Sequence, residues 1–428
     1  MLASPPLFKN NREFAVVAVV IVALIALRLF FSYQEYKKLQ ALDGYYYSDA
    51  QVEKIYDKKY YKNGATLLKL KSEDGKIFYL FTNKRPPKRF SWVRVKYRLK
   101  KDTPFLKYLS GFFANGDIVA PIEDGFDPRA FLRRQIDKQH DTKSAINTFY
   151  HAIFLADPLD RELREKISNL GISHLVAISG FHLGIMWLFI FGILFIPYRF
   201  LQIRYFPWRH RNIDLGLITL ILLGLFVLFV GAPPALTRSY VMLTLTWFVL
   251  VMGLELISFQ FLAFAVLLIL LLKPSLVASL GFWLSVTGVF YIFLLIKWFR
   301  NHSAWFITLV AIPVGVFLLM FPIGHIVFQN TTAWQLMSPP LSLAFIIFYP
   351  VALFMHLLGL GNLFDPALLA LFDLPKGSVA VEMPTPLIVL YIFMSLASIW
   401  SKRIFYATLF LATAITAYYI VIASFAKG

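Results

Sequence analysis

Ile213–Gly231, IDLGLITLILLGLFVLFVG, decides the class of fold: nineteen residues carry a single charge, Asp214, close to one end. A helix of about 20 such residues crosses the roughly 30 Å hydrocarbon core of a bilayer. Working outward, comparable runs recur at about residues 14–31, 172–196, 237–254, 256–272, 279–296, 304–321, 340–360, 386–400 and 404–425, which makes about ten spans. Composition agrees. Of 428 residues 58% are hydrophobic, 17% aromatic and only 15% charged, with a mean hydropathy of +0.65. That is more apolar surface than a soluble fold of this length can bury.

The first run, Phe14 to Phe31 behind Lys9 and Arg12, is too long for a signal-peptide core and has no small-residue cleavage site, so it reads as a retained span. From Ser32 the character changes to Lys, Tyr and turn residues. Ala65 to Lys71 and Lys76 to Thr82 suit strands, joined through Ser72, Glu73, Asp74 and Gly75. In the next segment Val93, Val95, Tyr97 and Leu99 alternate with Trp92, Arg94, Lys96, Arg98 and Lys100, which places one row on a core and a basic row outside. Several short strands within about 80 residues predict a small barrel of the OB type, a fold that often binds single-stranded nucleic acid. For the basic row taken alone, a solvated Lys and Arg face is the favoured reading. Residues 127–170 read as an amphipathic helical connector, with Phe131, Leu132 and Ile136, then Phe149, Ala152, Ile153 and Leu155, at helical spacing. The expected fold class is therefore a polytopic α-helical membrane protein with a small external OB-like β-barrel after its first span. Its parts are a cytoplasmic start and first helix at 1–31, the barrel at 32–126, the connector at 127–170 and a polytopic region at 171–428.

The balance of 42 Lys and Arg against 24 Asp and Glu gives +18, which suits anionic lipid or a polyanionic cargo without separating them. The absence of cysteine excludes disulfides, Cys-ligated metals and thiol nucleophiles. Basic residues of short loops stay in the cytoplasm. Arg199, Arg204, Arg209 and Arg211, and then Lys297 with Arg300, place the N-terminus inside and the barrel outside. Lys402 and Arg403 agree only if residues 361–386 are external or re-entrant, which the sequence leaves open.

Polar residues inside such spans are costly and usually face protein or a wet cavity. Gly171–Gly184, GISHLVAISGFHLG, puts His174, Ser179, Gly180 and His182 at the start of one span. On a continuous helix His174, Ile178 and His182 would share a face, whereas a break at Gly180 would free backbone groups toward a pore. Lining of a pore or gate, helix packing through small residues, and a Ser179–His182 catalytic pair are the three readings; the last has no orienting carboxylate nearby. Arg238 follows a broken helix start at Gly231 to Thr237, where it could meet phosphate or snorkel to the interface. Ser285 opens another span, and His325, Gln329, Asn330 and Gln335 form a polar break before Ser338. No phosphate loop, His-Glu-x-x-His helix or His-x-His-x-Asp-His run occurs, so no ATPase, zinc protease or dinuclear hydrolase is expected, nor any cofactor or metal.

The string Gly171–Gly184, preceded by Phe154-Leu-Ala-Asp157, resembles the bacterial competence protein family ComEC. Pro234-Ala-Leu-Thr-Arg-Ser-Tyr-Val-Met242 and Lys273-Pro-Ser-Leu-Val-Ala-Ser-Leu-Gly-Phe-Trp-Leu-Ser285 follow in the family's order, so the likeness covers most of residues 129–360. Where the family pattern favours Asn-Leu-Leu ahead of a Pro, this chain has Trp334, Gln335, Leu336, Met337 and Ser338. The resemblance implies an inner-membrane channel that takes up transforming DNA as one strand, with an OB-like domain outside. Its expected partners are single-stranded DNA, the lipid bilayer, an external DNA receptor, a cytoplasmic ATPase or single-strand-binding factors, and a separate nuclease; a homo-oligomer is also compatible. Many family members carry a metallo-β-lactamase-like nuclease domain that this sequence lacks, so nuclease activity is not expected of it. Without the resemblance, a transporter or flippase for another anionic polymer or lipid-linked glycan would be the first reading, with an intramembrane hydrolase using His174, Ser179 and His182 as another.

Overall fold

α1 (Asn11–Ala41) opens the computed structural model, which describes residues 5, 7–42, 44–56, 66–84, 86–88, 90–122, 128–140, 145–253, 258–374 and 377–425. Ala65, the domain limits at 126 and 127, and the ends of two expected spans at 254 and 256 lie outside the described residues. The chain forms two compact units: one holds Phe8–Pro128 with Phe264–Phe282, the other Met1–Leu7, Arg129–Ala263 and Trp283–Gly428.

In the first unit, Asn10 caps α1 by accepting from the Glu13 N–H at 2.8 Å, while the Glu13 carboxylate accepts from the Lys9 N–H at 2.9 Å. At 31 residues and 1.5 Å each the helix is about 46 Å long, well beyond a hydrocarbon core of roughly 30 Å. Its end therefore serves the barrel. Tyr36 is buried, with its hydroxyl donating to the Thr103 carbonyl at 2.8 Å and its ring against Phe105 and Tyr108. Arg28, a charge inside the expected first span, donates to the carbonyls of Leu271 and Leu272 at 2.5 and 3.2 Å. Those are last-turn carbonyls of a helix, the partners a cation needs at that depth.

The barrel has β1 (Tyr46–Tyr56), β2 (Thr66–Ser72), β3 (Ile77–Thr82), β4 (Trp92–Leu99), a short α2 (Phe105–Ser110) and β5 (Phe112–Pro121), closed in the order β1-β2-β3-β5-β4. All pairs are antiparallel except β3 with β5. The expected hairpin is present, with Gly75 at φ +77° donating to the Ser72 carbonyl. The alternation also holds: Val93, Val95, Tyr97 and Leu99 are buried, and the basic row faces out. Phe78 stacks between Tyr97 and Phe112 with centroids 4.5 and 5.8 Å away, and burial pushes the Tyr97 phenol up. β4 and β5 approach closely at Gly116, where a Cβ would stand 2.0 Å from the Lys96 carbonyl oxygen.

The second unit runs α3 (Pro128–Asp137), α4 (Ala145–Leu155), α5 (Arg161–Asn169), α6 (Ser173–Val176), α7 (Gly180–Tyr205), α8 (Arg211–Phe229), α9 (Pro234–Val251) and α10 (Phe259–Leu272). It continues with α11 (Leu280–Phe299), α12 (Ala304–Phe306) passing through a π-turn into α13 (Ile312–Val327), α14 (Ser338–Leu357), α15 (Asp365–Asp373), α16 (Thr385–Ala397) and α17 (Lys402–Phe425). α10 and the start of α11 supply residues to both units. Among the described residues seven helices are long and apolar enough to cross a membrane. The expected spans at 237–254, 256–272 and 386–400 fall on shorter apolar helices. At 14 and 13 residues, α10 and α16 reach only about 20 Å and need a thinned bilayer or snorkelling flanks to span.

Asp214, the lone charge of the opening stretch, receives two hydrogen bonds from Arg209, at 2.6 and 2.8 Å, and one from the Tyr198 hydroxyl. α8 and α9 meet through small residues, Gly216 beneath Trp247 and Gly224 beneath Tyr240. α3 to α5 do not hang free: Phe149 packs on Phe348 of α14 and Phe372 of α15, inside a core that includes Ile153, Ile167 and Leu175. On α3 only Ile136 is buried, while Phe131 and Leu132, expected on the inner stripe, are exposed.

Gly116→Ala should destabilise the barrel by more than about 2 kcal/mol, because backbone and not a movable side chain blocks the new Cβ. Gly44→Ala, with open space around it, should change little. Urea unfolding of the full chain in detergent, followed by limited proteolysis within residues 44–122, distinguishes the two.

Candidate functional site

α5 ends in a turn that stops it cleanly. The Ile172 N–H reaches the Ile167 carbonyl at 3.2 Å and the Gly171 N–H the Ser168 carbonyl at 2.9 Å, the paired bonds of a Schellman stop, with Gly171 at φ +69°. α8 stops the same way: Ala232 N–H to Val227 carbonyl at 2.8 Å, Gly231 N–H to Leu228 carbonyl at 3.0 Å, and Gly231 at φ +86°. Gly is favoured at both because a side chain is strained at positive φ.

After Gly171 the chain makes one turn of helix, α6, then an extended link at Ala177–Ser179, and restarts as α7 at Gly180. This corrects the continuous-helix reading, since His174 and His182 stand on different helices. Gly180 is the first residue of α7, not a break within it. Ser179 is the N-cap: its Oγ accepts from the Phe181 N–H at 3.3 Å, while His182 Nδ1 accepts from the Ser179 N–H at 3.3 Å. The physical reason is the demand of the first-turn amides for acceptors. A nucleophile would donate its hydroxyl proton to the imidazole, whereas here both side chains accept from backbone. His182 then carries its proton on Nε2, which is fully buried without a partner among the described residues, between Phe345 and Tyr349 at 5.1 and 4.9 Å.

The other polar candidates divide. His174 Nε2 donates to the Ser342 hydroxyl at 3.3 Å, which donates in turn to the Ser338 carbonyl, and the Ser338 hydroxyl reaches the Gly171 carbonyl at 3.1 Å. Gln335 packs against Gly171 and donates to the Asn330 carbonyl at 2.9 Å, while its Oε1 is buried without a partner among the described residues. His325 donates to the Phe321 carbonyl at 3.0 Å, accepts from Thr331 at 2.7 Å and stacks on Tyr419. Its polar capacity is used up within its own turn. Arg238 is buried on α9, and its neighbour Ser239 lies against Gly180, 3.1 Å from where a Cβ would be. Thus Gly171, Ser179, Gly180, His182, Gln335 and the turn bearing Arg238 gather around the α6–α7 link. Ser285 lies half-buried on α11, away in sequence from these turns.

Sequence reasoning passed over Arg129, which donates to the Val230 carbonyl at 3.2 Å and lies over Gly231, and over the Arg133–Asp157 pair with contacts of 2.7 and 3.1 Å. Both bind α3 to elements that lie far from it along the chain, so no local pattern marks them. Asp157 does lie in the Phe154-Leu-Ala-Asp157 prelude.

On the barrel, the basic row is partly engaged. Arg94 holds Asp49 bidentately at 2.7 and 2.9 Å, and these bonds keep the Asp49 carboxyl below the usual carboxylate range. A hollow of about 500 Å³ is lined by Tyr46, Tyr47, Ser48, Asp49, Glu73, Asp74 and Arg94, three carboxylates against one guanidinium that Asp49 already holds. Lys96 lies over the Tyr45 ring. Trp92, Arg98 and the exposed Lys100 complete the row. A different surface was legible but missed: Tyr79 and Phe81 of β3 alternate outward and stack on Phe113 of β5 at 5.1 and 6.2 Å, with Phe81 and Phe113 exposed. No group of three or more His, Asp or Glu arranged to hold a metal occurs among the described residues.

Ser179→Ala should lower stability by about 1 kcal/mol, the usual loss of an N-cap acceptor, while Ser179→Asp retains it. Thermal unfolding in detergent reads this directly.

The family model described as "Competence protein" matches residues 156–426. A curated relative, "Uncharacterized protein YcaI" of Escherichia coli (strain K12), is 25% identical over 246 residues, 52% of this chain. The matched region spans 32% of that relative's length, about a third. No solved structure matches.

Proposed function

Because the chain belongs to the competence protein family, we propose that it is the inner-membrane conduit that passes single-stranded DNA into the cytoplasm. The observation that carries this reading is the meeting of two helix breaks, α6–α7 and α8–α9, through Gly180 and Ser239. Breaks inside a membrane domain put backbone amides and fixed cations where an anionic chain can meet them. Arg129 and Arg238 border the same α8–α9 turn, and α9 begins there with amides that its Pro233 N-cap leaves without a side-chain partner. The barrel lies on the periplasmic or extracellular side, as the Arg199–Arg211 loop implies through the positive-inside rule. There the Tyr79–Phe113–Phe81 face would stack unpaired bases, with Lys96, Arg98 and Lys100 tracking phosphates.

The chain supplies the path, and a cytoplasmic ATPase or single-strand-binding factors would supply the pull. A receptor would deliver DNA outside, and a separate nuclease would remove the other strand. The hydrolase alternative loses support from the capping geometry of Ser179 and His182.

In cells making the protein at normal level, Arg238→Ala should reduce entry of labelled DNA into the cytoplasm at least tenfold while leaving surface-bound DNA unchanged. Undiminished entry in a complete deletion would end the proposal. For the barrel, Phe113→Ala in the full chain should weaken binding of an oligothymidine, with a loss of about 1–3 kcal/mol by fluorescence titration.

A further inference from the structure

Three side chains that no step above uses meet among α3, α14 and α15. His140, just past α3, has Nδ1 2.8 Å from Asp365 Oδ2 and Nε2 2.9 Å from His356 Nε2, and His356 Nδ1 lies 2.7 Å from the Ala352 carbonyl oxygen. The His140 side chain is fully buried and that of Asp365 is 19% exposed. Tyr150 stacks on His140 at 4.6 Å and meets His356 edge-on at 4.4 Å. Gln139 clamps the same place, donating to the His356 carbonyl at 3.0 Å and accepting from the Gly361 N–H at 2.8 Å.

The proton count follows from donor rules. A carbonyl only accepts, so His356 Nδ1 carries a hydrogen, and each of the two remaining contacts needs one hydrogen between its atoms. That makes three hydrogens. An ionised carboxylate and two neutral imidazoles bring only two. We propose that Asp365, His140 and His356 form a buried binding site for one proton, which completes the chain of hydrogen bonds and leaves the triad with no net charge.

The surroundings favour one proton over a metal. Among the described residues no third His, Asp or Glu joins the two facing Nε2 atoms in a metal-binding group. The titratable groups on the packed elements are otherwise committed. On α4, His151 pairs with Asp137 at 3.1 Å; on α3, Arg133 holds Asp157; between α5 and α15, Lys166 bridges Asp373 at 3.1 Å. Arg129 donates to the Val230 carbonyl, Arg134 and Lys138 are exposed, and among the described residues of α3, α4 and α14 the phenols of Tyr150, against the triad, and Tyr349 remain. Asp365 Oδ1 is buried without a partner among the described residues, so compensation of its charge comes through Oδ2.

Losing the proton removes one of the two hydrogen bonds through which His140 ties the end of α3 to α14 and α15. The folded site binds one proton more than the unfolded chain once pH exceeds the ordinary imidazole value of about 6.5. Stability from the site is therefore greatest near that value and is lost as pH rises toward the folded site's own value, at up to tenfold in the folding equilibrium per pH unit.

The test compares the full-length protein in detergent with Asp365→Asn. An Asn amide donates to His140 Nδ1, and His140 Nε2–H donates to His356, so the variant makes all three bonds without the extra proton. The expected result is an additional loss for wild type, relative to the variant, approaching tenfold per pH unit between about pH 6.5 and 8.5. Parallel pH curves overturn the proposal, as does one equivalent of copurified transition metal whose chelation removes the difference. If Asp365→Asn fails to fold, hydrogen exchange of wild type decides. Protection of residues 358–363, corrected for intrinsic rate, must fall across that pH range, and constant protection refutes the site.

Discussion

Backbone amides and carbonyls cannot be left bare in hydrocarbon, and this chain interrupts its apolar helices repeatedly, so the architecture depends on how each interruption is closed. The closures are short-range and chemically distinct. Gly171 and Gly231 end α5 and α8 with the same pair of crossed hydrogen bonds. Ser179 and His182 cover the opening amides of α7. Where the last carbonyls near Leu271 and Leu272 face apolar surroundings, a distant cation, Arg28, supplies the donors.

This gives the polar residues of the membrane unit two kinds of work. Some are consumed in closure, as with His325 between Phe321 and Thr331 or Ser338 on the Gly171 carbonyl. Others satisfy a backbone group with one atom and retain another, as His182 does with Nε2 and Gln335 with Oε1. Residues of the second kind gather around the α6–α7 link.

The long apolar runs and the alternation in β4 were legible because each is a local pattern that burial enforces directly. The hairpin at Gly75 was legible for the same reason. The pairing of Arg94 with Asp49 was not, because it depends on strand register across the barrel, and it changes a free basic row into a partly neutralised one. The His140–Asp365 contact joins residues 225 apart, and an isolated His in sequence carries no sign of such a partner. The true break near Gly180 was misplaced by a few residues because cap and helix interior differ only in which backbone amides the Ser and His side chains reach. Seven of the expected spans fall on helices long and apolar enough to cross a membrane, and three fall on shorter apolar helices.

α1 runs as one helix from its cap at Asn10 to Ala41, with Arg28 fastened midway and Tyr36 seated in the barrel core. A rod fastened at its middle and near one end has no joint between those points in which to absorb a change of slope. When the surrounding lipid thins, an apolar segment too long for it tilts, and the barrel must lean with the rod. Lipid thickness would therefore act on the orientation of the barrel face carrying Tyr79 and Phe113, making acyl-chain length a mechanical variable for this protein.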